Sequence, residues 1–187
     1  METRLILASA SPQRKQLLTN LGVDFQIEIS NITELIYDSP KETALINAYM
    51  KGKDVKQKNP QHIVLSADTV VEYNGIPFGK PRNDDDAFRM LQALSGNWHE
   101  VHTGLALFSG ENVKKEVVTT KVHFVTLSEK QIWQYIQTKE PNNKAGAYGI
   151  QGRASAFVDR LEGCYTNVFG MPMASVRKLL LDIGFEL

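Results

Sequence analysis

A single cysteine, Cys164, in 187 residues excludes an internal disulfide, so folding must rest on an apolar core. Long apolar runs are missing as well: none approaches the roughly 20 residues that span a bilayer. Neither sign of charge prevails, with 21 Lys plus Arg against 21 Asp plus Glu, so no global field draws the chain to nucleic acid or to an anionic membrane. A continuous basic stripe with interleaved aromatics is absent too, and neither nucleic acid nor a membrane is an expected partner. No charged-then-apolar leader precedes the first strand, which together with the lone thiol predicts an intracellular, cytoplasmic protein. Repeats, linkers and low-complexity tracts are not found. What remains is a chain with 42% hydrophobic residues, enough to bury a core and short enough for one domain over 1–187.

The stretch that organises the rest is Leu5-Ile6-Leu7-Ala8-Ser9-Ala10-Ser11-Pro12-Gln13-Arg14. Leu5 to Ala8 read as a buried strand, Ser11 as an N-cap and Pro12 as the first helical residue, where its missing N–H costs nothing. The first-turn N–H groups, the helix dipole, two serine hydroxyls and the Arg14 guanidinium then converge beyond the strand end, a setting suited to an anion such as phosphate. A capped helix with a merely solvated Arg14 is the plain alternative.

Gly22 is the expected helix stop, followed by a strand near residues 24–30 and an acidic loop over 31–40 carrying Glu34 and Asp38. A helix from Lys41 places Ala44, Leu45, Ala48, Gly52 and Val55 on one face, with Lys51 inside that face; the alternative is a lysine snorkelling at the helix edge. His62 to Ala67 read as a strand that ends in Asp68-Thr69, where a general base or a metal ligand would stand. Val70 to Phe78 form a hairpin about Asn74-Gly75, and Gly79-Lys80-Pro81 then holds a cation on a stiff segment. Asn83 caps a helix whose three opening aspartates suit the macrodipole better than a metal. Two long alternating segments, 98–108 and 114–127, make an antiparallel hairpin, and His99 and His102 fall on opposite faces, against a two-histidine site. Ser128 to Gln131 is a capping box. The glycines of 144–153 recur every third residue and allow close backbone approach to a ligand, residues 156–163 give a last hairpin, and Met171-Pro172 opens a C-terminal helix.

Fixed cations, a strand-end carboxylate and an anion-binding helix start are the parts that nucleoside triphosphate hydrolysis needs. The blocks Ser9-Ala10-Ser11-Pro12-Gln13-Arg14, Ala67-Asp68-Thr69-Val70-Val71, Gly79-Lys80-Pro81 and Lys144-Ala145-Gly146-Ala147-Tyr148-Gly149-Ile150-Gln151-Gly152 resemble, in order and across nearly the whole chain, the motifs of the Maf family of nucleoside triphosphate pyrophosphatases. The resemblance implies an α/β fold of two lobes around a twisted mixed sheet with flanking helices, similar to inosine triphosphatase, with a nucleotide cleft between the lobes. It implies hydrolysis of an NTP to NMP and pyrophosphate with Mg²⁺ or Mn²⁺. Asp68 falls on the proton acceptor, Arg14, Lys51 and Lys80 on phosphate-contacting positions, Ser9 on the phosphate-binding turn, and Glu34 on an acidic position assigned to metal or water, with Asp68 as the other metal ligand.

Thr69 and Gln151 fall on positions tied to base choice, and the Tyr148 to Gly152 wording is similar to the branch that takes dTTP and UTP, with CTP or modified pyrimidine nucleotides as further candidates. Two residues depart from that branch: Gln13, where arginine is usual and a forked donor for the base is lost, and Gly52, where alanine usually follows the lysine. The family also implies a house-cleaning role, a link to cell-division arrest, and leaves room for a homodimer. The rival reading is a non-catalytic nucleotide-binding regulator of septum formation, from which the water-activating carboxylate Asp68 divides it.

Overall fold

A computed structural model describes residues 4–187. The chain runs β1 (Leu5–Leu7), α1 (Pro12–Asn20), β2 (Phe25–Ile27), α2 (Pro40–Lys58), β3 (Ile63–Tyr73), β4 (Ile76–Phe78), α3 (Asp84–Leu94), β5 (Trp98–Ser109), β6 (Asn112–Phe124), α4 (Glu129–Gln137), β7 (Val158–Glu162), α5 (Tyr165–Val168) and α6 (Met173–Leu181), with short 3₁₀ turns at Ala145–Ala147 and Arg153–Phe157. Seven strands form one mixed sheet in the order β2-β1-β3-β5-β6-β7, and β4 pairs with β3. β1 lies parallel to β2 and β3, while β3, β5, β6 and β7 are successively antiparallel.

β3 organises the fold, and its length corrects the sequence reading. It does not stop at Ala67. Pairing with β1 ends at Leu7–Leu65, but β5 carries the ladder on through Glu72–Glu100, so Asp68 and Thr69 sit in mid-strand. The polar pair breaks the apolar run without breaking the hydrogen bonding, because its neighbours across the ladder are Gly104 and Thr103. Three boundaries also move. β2 covers only three residues, α2 starts at Pro40 behind the Ser39 cap, and 156–163 makes no hairpin of its own: a 3₁₀ turn leads into β7, which pairs with the distant β6.

Alternation along β3 sorts the packing. Its odd-numbered residues face two apolar clusters. Ile63, Leu65 and Ala67, with Leu105 and Leu107, lie under α1 and α6, whereas Val71, with Val101, Val122 and Phe124, lies under α3 and α4. Thr69 falls on the seam between these clusters. The opposite face is covered by α2, which seats Val55 against Ile6, Val64, Ala106 and Phe108.

That seat is unusually close. At Gly104 a Cβ would strike the Ala44 carbonyl, and Ser66 Oγ donates to Ala48 O at 2.7 Å. Gly52, the position where alanine is usual, has the Phe108 ring and the Ser66 hydroxyl where a methyl would go. Small residues at 44, 48 and 52 on the helix and at 104 on the sheet therefore bring the α2 backbone down beside Asp68.

Candidate active site

α1 begins as its residues dictate. Ser11 holds β-region dihedrals (φ −69°, ψ 119°), Pro12 occupies the first turn, and Ser11 Oγ accepts from Arg14 N at 3.4 Å. Ser9 is buried and its Oγ accepts from Ser11 N at 3.2 Å, which ties the strand end to the cap. The Arg14 guanidinium is fixed on three sides: Nε donates to Gly170 O (2.9 Å), one terminal nitrogen to Ser9 Oγ (3.2 Å) and the other to Thr69 Oγ1 (3.1 Å). Burial pushes its pKa down and the charges of Asp68 and Glu34 push back, so the cation is held in a partly dry site by nearby carboxylates. Thr69 Oγ1 also pairs with Thr103 Oγ1 at 2.9 Å, so its hydroxyl braces Arg14.

On the α2 side, Lys51 Nζ lies 2.6 Å from Asp68 Oδ1 and 2.6 Å from Glu34 Oε1. Lys51 is thus no snorkelling surface lysine: its side chain is 13% exposed and bridges two carboxylates. Burial alone would raise the Glu34 carboxyl, but the Lys51 hydrogen bond and charge, aided by Lys80 and Arg14, hold it below the ordinary carboxylate range. Lys80 itself is exposed at the rim. Gly79 O accepts from Gly146 N at 3.0 Å, which ties the Lys80 segment to the glycine-rich stretch.

Asn47, one turn before Lys51, was not expected here. Its Nδ2 donates to Asp68 Oδ2 (3.3 Å) and to Leu35 O (2.9 Å), and its Oδ1 accepts from Leu35 N (3.1 Å). One buried amide therefore hooks the loop carrying Glu34 to the sheet carboxylate. The sequence signal was a polar residue in an otherwise small and apolar stripe.

Ser9, Arg14, Glu34, Lys51, Asp68 and Thr69 come together. Gln13 stays on the same turn, where its Oε1 accepts from Ser11 Oγ at 3.1 Å. Gln151 is exposed and makes no hydrogen bond to these residues among the described residues. The glycines of its loop meet protein: a Cβ at Gly146 would crowd Val71, and one at Gly152 would strike the Glu140 carboxylate, which accepts from Arg153 N at 3.0 Å. Tyr148 is buried against His99 and Phe124.

His99 and His102 face opposite ways, as expected. His102 instead gathers Glu72 and Glu100, with all three ligand atoms within 4.8 Å of one another, a group able to hold a metal. No helix among the described residues is long and apolar enough to cross a membrane.

Comparison with known proteins agrees with this architecture. A protein named dTTP/UTP pyrophosphatase from Alkaliphilus oremlandii is 51% identical over 176 residues, covering 91% of each chain. Another of that name from Geobacillus sp. is 46% identical over 97% of this chain and 99% of its own. A solved HAM1 protein from Coxiella burnetii shares the fold at TM-score 0.53 and 16% identity, over 97% of this chain and 100% of that one. The family profile described as Maf-like protein matches residues 4–183, and the chain belongs to the Maf family.

Proposed function

We propose that this chain hydrolyses nucleoside triphosphates, dTTP and UTP foremost, to the monophosphate and pyrophosphate. The observation that carries the reading is the Glu34–Lys51–Asp68 bridge beside an Arg14 fixed at a helix start. Relatives named for this activity match nearly end to end.

The chemistry follows from placement. Asp68 Oδ1 and Oδ2 are held by Lys51 and Asn47, so the carboxylate has a fixed aim and can take a proton from water attacking the α-phosphorus. Arg14 has N–H bonds left over after its three anchors, and with Lys51 and Lys80 it neutralises charge gathering on the departing pyrophosphate. Ser9 and the α1 N-terminus receive phosphate oxygens. Glu34 and Asp68 fit a hard divalent cation such as Mg²⁺ or Mn²⁺: two carboxylate oxygens already converge on one cationic centre, the Lys51 ammonium. When bound, such an ion supplies charge neutralisation across the triphosphate. Gln13, on the turn beside Ser11, and Gln151, exposed on the stretch tied to the Lys80 segment through Gly146, read the base, and the neutral Gln13 amide broadens the choice among pyrimidines.

The test is product analysis across canonical and modified NTPs with Mg²⁺ or Mn²⁺. Pyrophosphate with NMP, fastest for dTTP and UTP, is expected, and Gln151→Ala should reorder the substrates more than it lowers the best rate. Orthophosphate as the first product, or no turnover of any NTP, would overturn the proposal.

A further inference from the structure

The ladder that carries Asp68 also assembles three side chains for which the reaction has no use. Glu72 of β3 and Glu100 of β5 are direct cross-strand partners, and His102 lies two residues along β5 on the same face. Opposed carboxylates repel; Lys121, the cross-strand neighbour of Glu100 on β6, and Arg160 line the cavity beside them but make no ion pair with either glutamate among the described residues, and Lys41 reaches Glu100 only at 4.0 Å from a largely exposed side chain. The cluster is therefore rich in negative charge and short of a close partner for it.

His102 is arranged as a ligand is. Its side chain is fully buried, with Nε2 2.7 Å from Glu72 Oε2 and 3.6 Å from Glu100 Oε2. On the far side of the ring, Nδ1 sits 2.9 Å from Thr119 Oγ1. Without an ion, Nε2–H donates to the Glu72 carboxylate; an ion would take the place of that proton, and Thr119 Oγ1, which can accept as well as donate, would then hold the remaining ring proton on Nδ1. This is the outer-shell contact that fixes the tautomer of metal-binding histidines.

Glu72 and Glu100 in turn line an open cavity of about 640 Å³ with Asn74, Trp98 and Lys121, which leaves one side of the cluster accessible to water. A tetrahedral ion about 2.0–2.2 Å from each ligand keeps the ligand atoms roughly 3.3–3.6 Å apart. The His102–Glu100 spacing meets this already, and Glu72 need withdraw by less than about 1 Å.

We propose that Glu72, Glu100 and His102 form a second divalent-cation site, of the zinc class, with water in the fourth position. One imidazole nitrogen and two carboxylate oxygens suit Zn²⁺, whereas Mg²⁺ prefers an all-oxygen shell. Along the ladder the Val70–His102 pair lies two residues from Asp68–Gly104, about 7 Å, so the ion staples β3 to β5 beside the catalytic segment without sharing its ligands. Binding only the folded chain, it raises stability as its concentration rises.

The experiment uses chelator-stripped full-length protein carrying Glu34→Gln and Asp68→Asn, which removes the catalytic carboxylates. Zn²⁺ is then added in equilibrium dialysis and in thermal melts. One bound equivalent and a rise in Tm are expected. His102→Gln in that background should weaken zinc by more than tenfold, Thr119→Val by about 10- to 100-fold. Glu100→Gln, at a partly exposed position, should weaken zinc as well. No zinc retained by the Glu34→Gln/Asp68→Asn protein shown by its melt to be folded, or by folded Asp68→Asn should the double variant not fold, or equal zinc affinity with Glu100→Gln or with folded His102→Gln, would overturn the site.

Discussion

Lys51 meets Asp68 at 2.6 Å inside the α2–sheet interface, with the lysine side chain 13% and the aspartate side chain 9% exposed. A pair this dry gains little net energy when intact, but loss of one partner strands a buried charge at roughly 3–5 kcal/mol. Here Lys51→Met strands the buried Asp68, while Glu34, whose side chain is 44% exposed, loses its partner but keeps its water. We expect a lower Tm without metal, partial recovery of Tm by Mn²⁺ as the ion replaces the lost charge, and turnover reduced by at least about 10²-fold. A Tm that ignores Mn²⁺ would deny that Glu34 and Asp68 share a cation.

Asn47 gives the second expectation. Its amide joins Leu35 of the Glu34 loop to Asp68, so Asn47→Ala frees that loop and leaves Asp68 with Lys51 alone. Misplacing a catalytic group by about 1 Å can cost about 10²-fold. Turnover should fall by about that factor with a small change in Tm, and steady-state kinetics alongside melting curves separate the two.

Gly104 sets the height of α2 above the sheet. A methyl there meets the Ala44 and Leu45 backbone, which cannot rotate aside as a side chain would. Gly104→Ala should cost about 1–3 kcal/mol in denaturant unfolding and lower activity by lifting Asn47 and Lys51 away from Asp68. Unchanged stability would mean that helix and sheet are not in contact there.

The helix start at Pro12, the caps at Asn83 and Ser128, and the Asn74-Gly75 hairpin were all legible because each is written in adjacent residues, whereas the Ser39 cap was passed over and α2 was placed one residue late. Asp68 was recognised as a site carboxylate but set at a strand end, since a polar pair after an apolar run looks like termination until β5 is known to pair with it. Asn47 was not singled out in the sequence, because only the approach of α2 at Gly104 gives its amide two partners, Asp68 and Leu35. Glu72, Glu100 and His102 span 30 positions and meet through strand register alone, as do β6 and β7. Such pairings depend on long-range contacts that local pattern does not encode.

Acid sensitivity follows from His99. Burial pushes its pKa from 6.5 down to about 4, while the unfolded chain keeps the ordinary value. The unfolded state thus binds the proton first as pH falls, so the stability present above pH 6.5 is lost progressively toward pH 4, by up to about 3 kcal/mol. His99→Gln, which can still hydrogen-bond the Tyr148 hydroxyl, should flatten unfolding free energy against pH over that window. An unchanged slope would assign the acid loss to other groups.

The most direct test is turnover of Asp68→Asn against metal concentration. Asparagine keeps the shape and a hydrogen-bond acceptor but takes no proton, so kcat should fall by about 10² to 10⁴-fold at every Mg²⁺ or Mn²⁺ concentration while nucleotide binding largely survives. Recovery of much of the rate by excess metal would make Asp68 chiefly a ligand. Turnover close to wild type at all metal concentrations would contradict the account.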